Sequence, residues 1–208
     1  MIGSVVSKLK ELGPLRFVQS AFAAIFNLIL QKIYRFDPWH VSGNYYSRPY
    51  KARVVALAET HHPQIVVEIG VGLGDIIGRV NAPKRAGLDL DRKVIKAARY
   101  CVPRNVVLAQ ANFLDPQSIL TALKAAQIDA IDCLILVNWI HMIGIDEIAG
   151  TLDHVAAIIP IRRILVDAIK PGTPGYRHHH DADAFKRLGT IEEARQGDGV
   201  RDLLLIRR

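Results

Sequence analysis

An apolar run of strand length, Ile65 to Ile69, carries one acid, Glu68, and opens into glycines at alternate positions, Gly70, Gly72 and Gly74. Glycine permits positive φ and leaves the main chain bare, so a ligand can approach the backbone closely. A helix starting at Asp75 would add unpaired N–H groups that favour a negative or polar group. The chemistry on offer is the cradling of a nucleotide-like ligand with a carboxylate beside it. Other reactive residues converge less. His178, His179, His180 and Asp181 could supply a base or metal ligands, but consecutive residues do not point at one centre, and a solvated loop is expected. His61 and His62 mark a helix end with no partner at ligand spacing. Cys101 and Cys133 lie in separate apolar segments, which suggests neither a disulfide nor a zinc site and fits a reducing cytoplasm.

Holding such a loop requires a sheet with helices packed on it. The chain has 208 residues, half of them hydrophobic, enough for one substantial core. Beyond the glycines the pattern alternates. A helix is predicted over Ile76 to Val80, a strand over Arg85 to Leu90 ending in Asp89, and a helix capped by Asp91 that turns Val94, Ile95, Ala98, Cys101 and Val102 inward. A strand from Asn105 to Gln110 follows, then a helix opened by Asp115 and Pro116 and buried through Ile119, Leu120 and Leu123. Ile131 to Val137 is continuously apolar and predicts a central strand covered on both faces. Next come a helix through Ile145, Ile148, Leu152, Val155 and Ile159 and a strand from Arg163 to Ala168. Alternation of this kind specifies an open parallel sheet with helices on both sides. After a Gly/Pro-rich loop and a short helix over Ala182 to Leu188, Thr190 to Arg195 and Asp202 to Ile206 read as a hairpin with a polar edge strand and an interior partner.

Ahead of the glycine unit lies a different composition. Leu15 to Tyr34 is helical in period: Leu15, Val18, Phe22, Ile25, Ile29 and Ile33 form one stripe, and Arg16, Ser20, Asn27, Gln31 and Arg35 a narrow polar strip. Its uninterrupted part falls short of the roughly 20 residues of a spanning helix, and no cleavage site of small residues follows. Three readings stay open: packing on the domain, a homodimer contact, or a place in a membrane interface with Lys8, Lys10, Lys32 and Arg35 near lipid phosphates. Phe36 to Tyr50, with its aromatics and prolines, reads as an ordered loop that either closes over a ligand or plugs the helix onto the core. A further helix from Pro49 would bury Val54, Val55, Leu57 and Ala58. The net charge of +7 is spread along the chain and reads as a solvated basic surface, although it also suits a phosphorylated substrate or an anionic membrane.

The ordered set EIGVGLG, GLDLD, AQANF and DCLILVNWIH, closed by the hairpin, resembles a class I S-adenosylmethionine-dependent methyltransferase. The resemblance covers residues 50–208, with 1–49 as an N-terminal apolar helix and aromatic lid segment. It implies a Rossmann-like three-layer sandwich whose seven-stranded, mostly parallel sheet ends in an antiparallel hairpin. Its cofactor would be S-adenosyl-L-methionine. The resemblance places the methionine portion on Gly70, Gly72 and Gly74 with Glu68 near the amino group, the ribose hydroxyls on Asp89, and the adenine between Leu90, Asn112 and Phe113. Asn112 stands where the family usually has aspartate. Asn138, counted with the cofactor-binding residues, follows the fourth strand together with Trp139 and His141, where the sheet opens to the substrate, and His141 is the candidate base.

Features that are missing narrow the acceptor. The run Asn138-Trp139-Ile140-His141 is not the Asp/Asn-Pro-Pro-aromatic run of base-amino methyltransferases, and neither cysteine sits in a loop as a cytosine C5 nucleophile would. Nucleic acid is therefore not the expected partner. A small-molecule acceptor is, with O-methylation of a sugar or similar metabolite favoured. A non-catalytic cofactor-binding scaffold and a metal-dependent O-methyltransferase are the alternatives; for the latter Asp167 is followed by Ala168, not by asparagine. The FDPWH and YYSRPY stretches are similar to those of bacterial methyltransferases from surface-polysaccharide gene clusters, which would suit a cytoplasmic protein peripheral to the inner membrane face.

Overall fold

The structure is a computed structural model that describes residues 9, 10 and 12–208. Seven strands form one sheet in the order β3-β2-β1-β4-β5-β7-β6. They are β1 (Ile65–Ile69), β2 (Lys84–Asp89), β3 (Val106–Gln110), β4 (Cys133–Leu136), β5 (Arg163–Ile169), β6 (Thr190–Gln196) and β7 (Arg201–Arg207). The first five pair in parallel, and β7 inserts antiparallel between β5 and the edge strand β6. The predicted Rossmann-like plan with its terminal hairpin is the observed one.

Period-two alternation divides the strands between two cores. Val67, Leu134, Leu136, Ile164 and Leu204 face one side, where α4 (Pro116–Ala125) and α5 (Ile145–Ala156) supply Ile119, Leu123, Ile148 and Leu152. Val66, Ile135, Leu165 and Leu203 face the other, against Val54 and Leu57 of α2 (Tyr50–Ala58) and Ile95 of α3 (Arg92–Ala98). Helix, sheet and helix make three layers. The helix starts are fixed locally: Asp91 accepts from the Lys93 N–H, and Asp115 from the Gln117 and Ser118 N–H groups. Helix α6 (Ala182–Phe185) and a 3-10 turn, Lys186–Leu188, complete the predicted Ala182 to Leu188 element.

Two expectations change. Ile76 to Val80 is a turn, not a helix, although Gly78 and Val80 donate back to Gly74 and Ile76. The segment is too short to repay nucleation and runs at once to Asn81 and Pro83. Helix α1 (Pro14–Tyr34) forms over the expected residues, and it packs on the domain through its polar strip, not its apolar stripe. Its buried residues are Asn27 and Leu30, while the stripe from Leu15 to Ile33 faces outward, with Phe22 71% exposed. Ser20 and Gln31, of the polar strip, bind Asn44 and the Phe36 carbonyl, and Leu30 packs with Val94 and Ala97 of α3. Lys8 lies outside the described residues.

The centre of β4 is the most demanding packing position. Ile135 is fully buried between β1 and β5. Ile135→Ala should lower unfolding free energy in urea by about 2–5 kcal/mol. A loss below about 1 kcal/mol would show that the core does not pack around this strand.

Candidate active site

The sheet order reverses between β1 and β4, and parallel sheets collect ligands at the carboxyl ends of strands beside such a reversal. Gly70, Asp89, Asn112 and Asn138 lie at or just beyond the ends of β1, β2, β3 and β4. The glycines hold φ of 75°, 53° and 80° at Gly70, Gly72 and Gly74, and each does so for its own reason. A Cβ on Gly70 would collide with the Trp139 indole, whose Nε1 donates to the Ile69 carbonyl at 2.6 Å. A Cβ on Gly74 would collide with Val102. At Gly72 the nearest atom would be His40 Nδ1, 3.5 Å away, so this glycine keeps the backbone bare beneath the lid segment. Of the three, Gly70 and Gly72 line the cavity, and Gly74 serves packing.

Two carboxylates fasten the loop. Asp89 Oδ2 accepts from the Gly72 N–H at 2.8 Å, and Oδ1 from the Asp91 N–H at 3.0 Å. Glu68 Oε2 accepts from the Ile77 N–H at 2.9 Å, which occupies a donor that the sequence left for a ligand. Alternation turns Glu68 to the same side as Val66, under the loop and towards α2. Burial pushes its carboxyl up to about 8, against the pull of the Ile77 N–H and of Lys51.

A cavity of ≈ 520 Å³ lies over the loop, lined by Glu68, Gly70, Gly72, Tyr50, Lys51 and Asn138 among others. Lys51 Nζ meets Asp75 at 2.5 Å, and the buried Tyr50 hydroxyl has no hydrogen-bond partner among the described residues. A second cavity of ≈ 760 Å³ is lined by Asp89, Leu90, Ala111, Asn112, Phe113 and Trp139 among others. Its walls are apolar apart from Asp89 and Asn112, and Phe113 meets Trp139 edge-on at 4.9 Å. Gly70 and Trp39 line both cavities. Trp39 belongs to the 3-10 turn Pro38–Val41, so the aromatic segment does lie over the glycine loop. In the same turn, burial pushes the His40 imidazole below its ordinary 6.5, against the pull of Asp89, Asp91 and Asp37.

Asn138 has φ of 83°, unusual for a residue with a Cβ, and neighbours hold it there. Its N–H donates to Asp167 Oδ1 at 2.8 Å, and its own side-chain oxygen accepts from Arg201 at 3.3 Å. Arg201 also binds Asp167 at 3.0 Å and stacks 4.1 Å over the Tyr50 ring. His141 shares this network, with Nε2 3.2 Å from Asp167 Oδ1. It is completely buried and lines neither cavity, so its ring reaches no acceptor here; the position expected of a base is sealed by Tyr176 and His180. In the histidine run, His179 donates to the Thr173 carbonyl and turns away, while His180 donates to that of Ile143 and stacks on His178 with ring centroids 5.5 Å apart. Among the described residues no three His, Cys, Asp or Glu side chains converge as a metal site.

Sequence reading named Phe36 to Tyr50 as a segment without singling out Trp39, His40 or Tyr50, weighed Asp167 only as a metal ligand, and did not name Lys51 or Arg201. Position ahead of the glycine unit was the available signal for Trp39, His40, Tyr50 and Lys51. Asp167 and Arg201 meet only through the register of β5 against β7, which places Ile169 opposite Arg201.

No protein-family model matches the chain, and no curated protein matches it. Solved structures do. The N-methyltransferase NodS of Bradyrhizobium japonicum WM9, in complex with S-adenosyl-l-homocysteine, aligns with a TM-score of 0.63 at 13% identity over 88% of this chain and 98% of its own. Magnesium protoporphyrin IX methyltransferase of Synechocystis PCC 6803, with S-adenosylhomocysteine bound, gives 0.57 at 15% identity over 77% and 83%. An O-methyltransferase family protein of Burkholderia thailandensis gives 0.57 at 17% over 77% and 55%. The fold is the one these methyltransferases share.

The buried acid generates a pH signature. Unfolded, Glu68 releases its proton near 4.5, and folded near 8, so across that window the folded state holds the extra proton and stability falls as pH rises. Glu68→Gln, which keeps an oxygen for the Ile77 N–H, should flatten that fall in melting temperature between pH 5 and 8. An unchanged slope would remove Glu68 as its source.

Proposed function

We propose that the chain is an S-adenosylmethionine-dependent methyltransferase that acts on a small-molecule acceptor, with a hydroxyl of a sugar or similar metabolite as the favoured nucleophile. The observation that carries this reading is the pair of cavities meeting at Gly70, one polar with Glu68 and Lys51, the other apolar with Asp89 at its edge. A ligand with an amino-acid end, a ribose and a flat base matches that division. The Tyr50 hydroxyl, unpaired among the described residues, is an unused polar group beside the first cavity, and Gly72 leaves room for close approach to its backbone.

When bound, S-adenosylmethionine supplies a methyl group from its sulfonium. Glu68 would face the amino group and Lys51 the carboxylate, with Gly70 and Gly72 beneath them. Asp89 would take the ribose hydroxyls, because each of its oxygens retains a lone pair beyond its backbone bond. Leu90, Phe113 and Trp139 would flank the adenine, with the Asn112 amide at its edge; Asn112 Oδ1 already accepts from the Leu114 N–H. Asn138, held by Asp167 and Arg201, marks the acceptor side. The chain's own task is alignment and exclusion of water, for which Trp39 is placed as a lid over both cavities. His141 enters as the positioning partner of Asp167. For a hydroxyl acceptor, His40 is the proton-accepting side chain at the cavity, and its burial keeps it in the neutral form that a base requires.

Two alternatives remain testable. A metal-dependent enzyme has no convergent ligand set among the described residues. A non-catalytic cofactor-binding scaffold would share the binding behaviour and lack turnover on a panel of hydroxyl and amino acceptors.

S-adenosylhomocysteine at 100 times its Kd should stabilise the fold by about 2.7 kcal/mol. For a chain of this size that raises Tm by roughly 5–10 °C, and NAD should leave it unchanged. Asp89→Ala should weaken binding by about 10- to 100-fold, the loss of hydrogen bonds to a charged group. A shift with NAD and none with S-adenosylhomocysteine would sink the assignment.

A further inference from the structure

Helix α1 presents an apolar face that nothing among the described residues covers. Leu15, Val18, Phe22, Ile25, Ile29 and Ile33 are between 49% and 71% exposed, and among the described residues of α1 Lys32 is the charged side chain on their side. This is continuous apolar surface on one side of a helix, well beyond the scattered exposure ordinary for a soluble domain. With 21 residues α1 is about 31 Å long, enough to cross a hydrocarbon core. Its opposite side forbids that orientation in the folded chain. Asn27 is buried, the Ser20 carbonyl accepts from the Asn44 side chain, and Gln31 donates to the Phe36 carbonyl. The helix lies along the domain with its polar strip inward and its apolar stripe outward.

Charge decides what covers the stripe. Pro14 to Arg35 contains no acid, and its charges are Arg16, Lys32 and Arg35. Beside it, α3 and its C-cap expose Arg92, Lys93, Lys96 and Arg99, and Lys93 Nζ reaches the Arg35 carbonyl at 3.3 Å. Tyr34 and Tyr100 join the two helices with ring centroids 6.0 Å apart. With Asp37 and Asp91 as the acids nearby, these seven cations leave the flanks of the stripe strongly positive, which suits a surface of lipid tails under anionic headgroups. A second copy would set cations against cations in either helix orientation.

We infer that the exposed face of α1, with the basic crest of α3, docks in the plane of an anionic lipid bilayer. Phe36 and the lid turn Pro38–Val41 follow α1 directly, so docking sets the mouth of the cavities at the headgroups. The inference is independent of the cofactor assignment.

Flotation of the full chain with vesicles tests it. With phosphatidylcholine vesicles containing about a third phosphatidylglycerol, the protein should float at least tenfold more than with phosphatidylcholine alone, and less at high salt, as surface electrostatics require. Phe22→Glu with Ile25→Glu should abolish flotation, and Lys96→Glu with Arg99→Glu should reduce it severalfold. All four positions are exposed, and unchanged melting temperatures would confirm folding. No flotation, or equal flotation with neutral vesicles, would overturn the inference. So would a dimer in light scattering that Phe22→Glu with Ile25→Glu converts to a monomer, since a second copy would then cover the face.

Discussion

The turn after β1 cannot hold itself. Its glycines have no side chains, three of its residues carry positive φ, and its Gly70 and Val71 N–H groups go to the Leu88 carbonyl of the neighbouring strand. Two carboxylates hold it: Asp89, one strand over, on the Gly72 N–H, and Glu68, at the end of the same strand, on the Ile77 N–H. Parallel pairing of β1 with β2 sets Glu68 opposite Gly87, and a Cβ on Gly87 would collide with Val71 and Leu108. The sheet register, the loop and the cavity floor are thus one construction. Burying Glu68 is costly for an ionised carboxylate, and a partly protonated acid beneath the loop is the consequence.

A second construction sets the other wall. Asn138 sits in a strained backbone conformation because Asp167 and Arg201 fix both its main chain and its side chain. Arg201 reaches back over Tyr50, and so connects the terminal hairpin to the start of α2. The hairpin is part of the site's support, and the antiparallel β7 is how an arginine remote in sequence arrives beside the end of β4. His141 belongs to this support.

Much of the fold was legible because it is local. Strand length, period and capping residues located β1 to β5 and the helices between them; Asp91 and Asp115 cap as their types suggest. The hairpin was readable from the contrast between polar Thr190 to Arg195 and the apolar run of β7. Three things were not readable. Hydropathy showed that α1 has a stripe, but not which side packs; Ser20 and Gln31 chose the polar side through Asn44 and the Phe36 carbonyl. Spacing showed three glycines but not that Trp139 and Val102 fill the space beside two of them. Residue type nominated His141, whereas Asp167 and its burial between β5 and Tyr176 decide what it can touch. Each miss is a long-range contact without a local signature.

The central claim is that Glu68, buried and largely protonated below the loop, receives the amino-acid end of S-adenosylmethionine. Pairing with an ammonium group requires the carboxylate, so binding at pH 7 should expel the proton that burial retains. Isothermal titration of S-adenosylmethionine in buffers of different ionisation enthalpy measures this directly. The account predicts release approaching one proton per ligand in the intact chain and close to none in Glu68→Gln. Binding without proton release, or release that persists unchanged in Glu68→Gln, would contradict it.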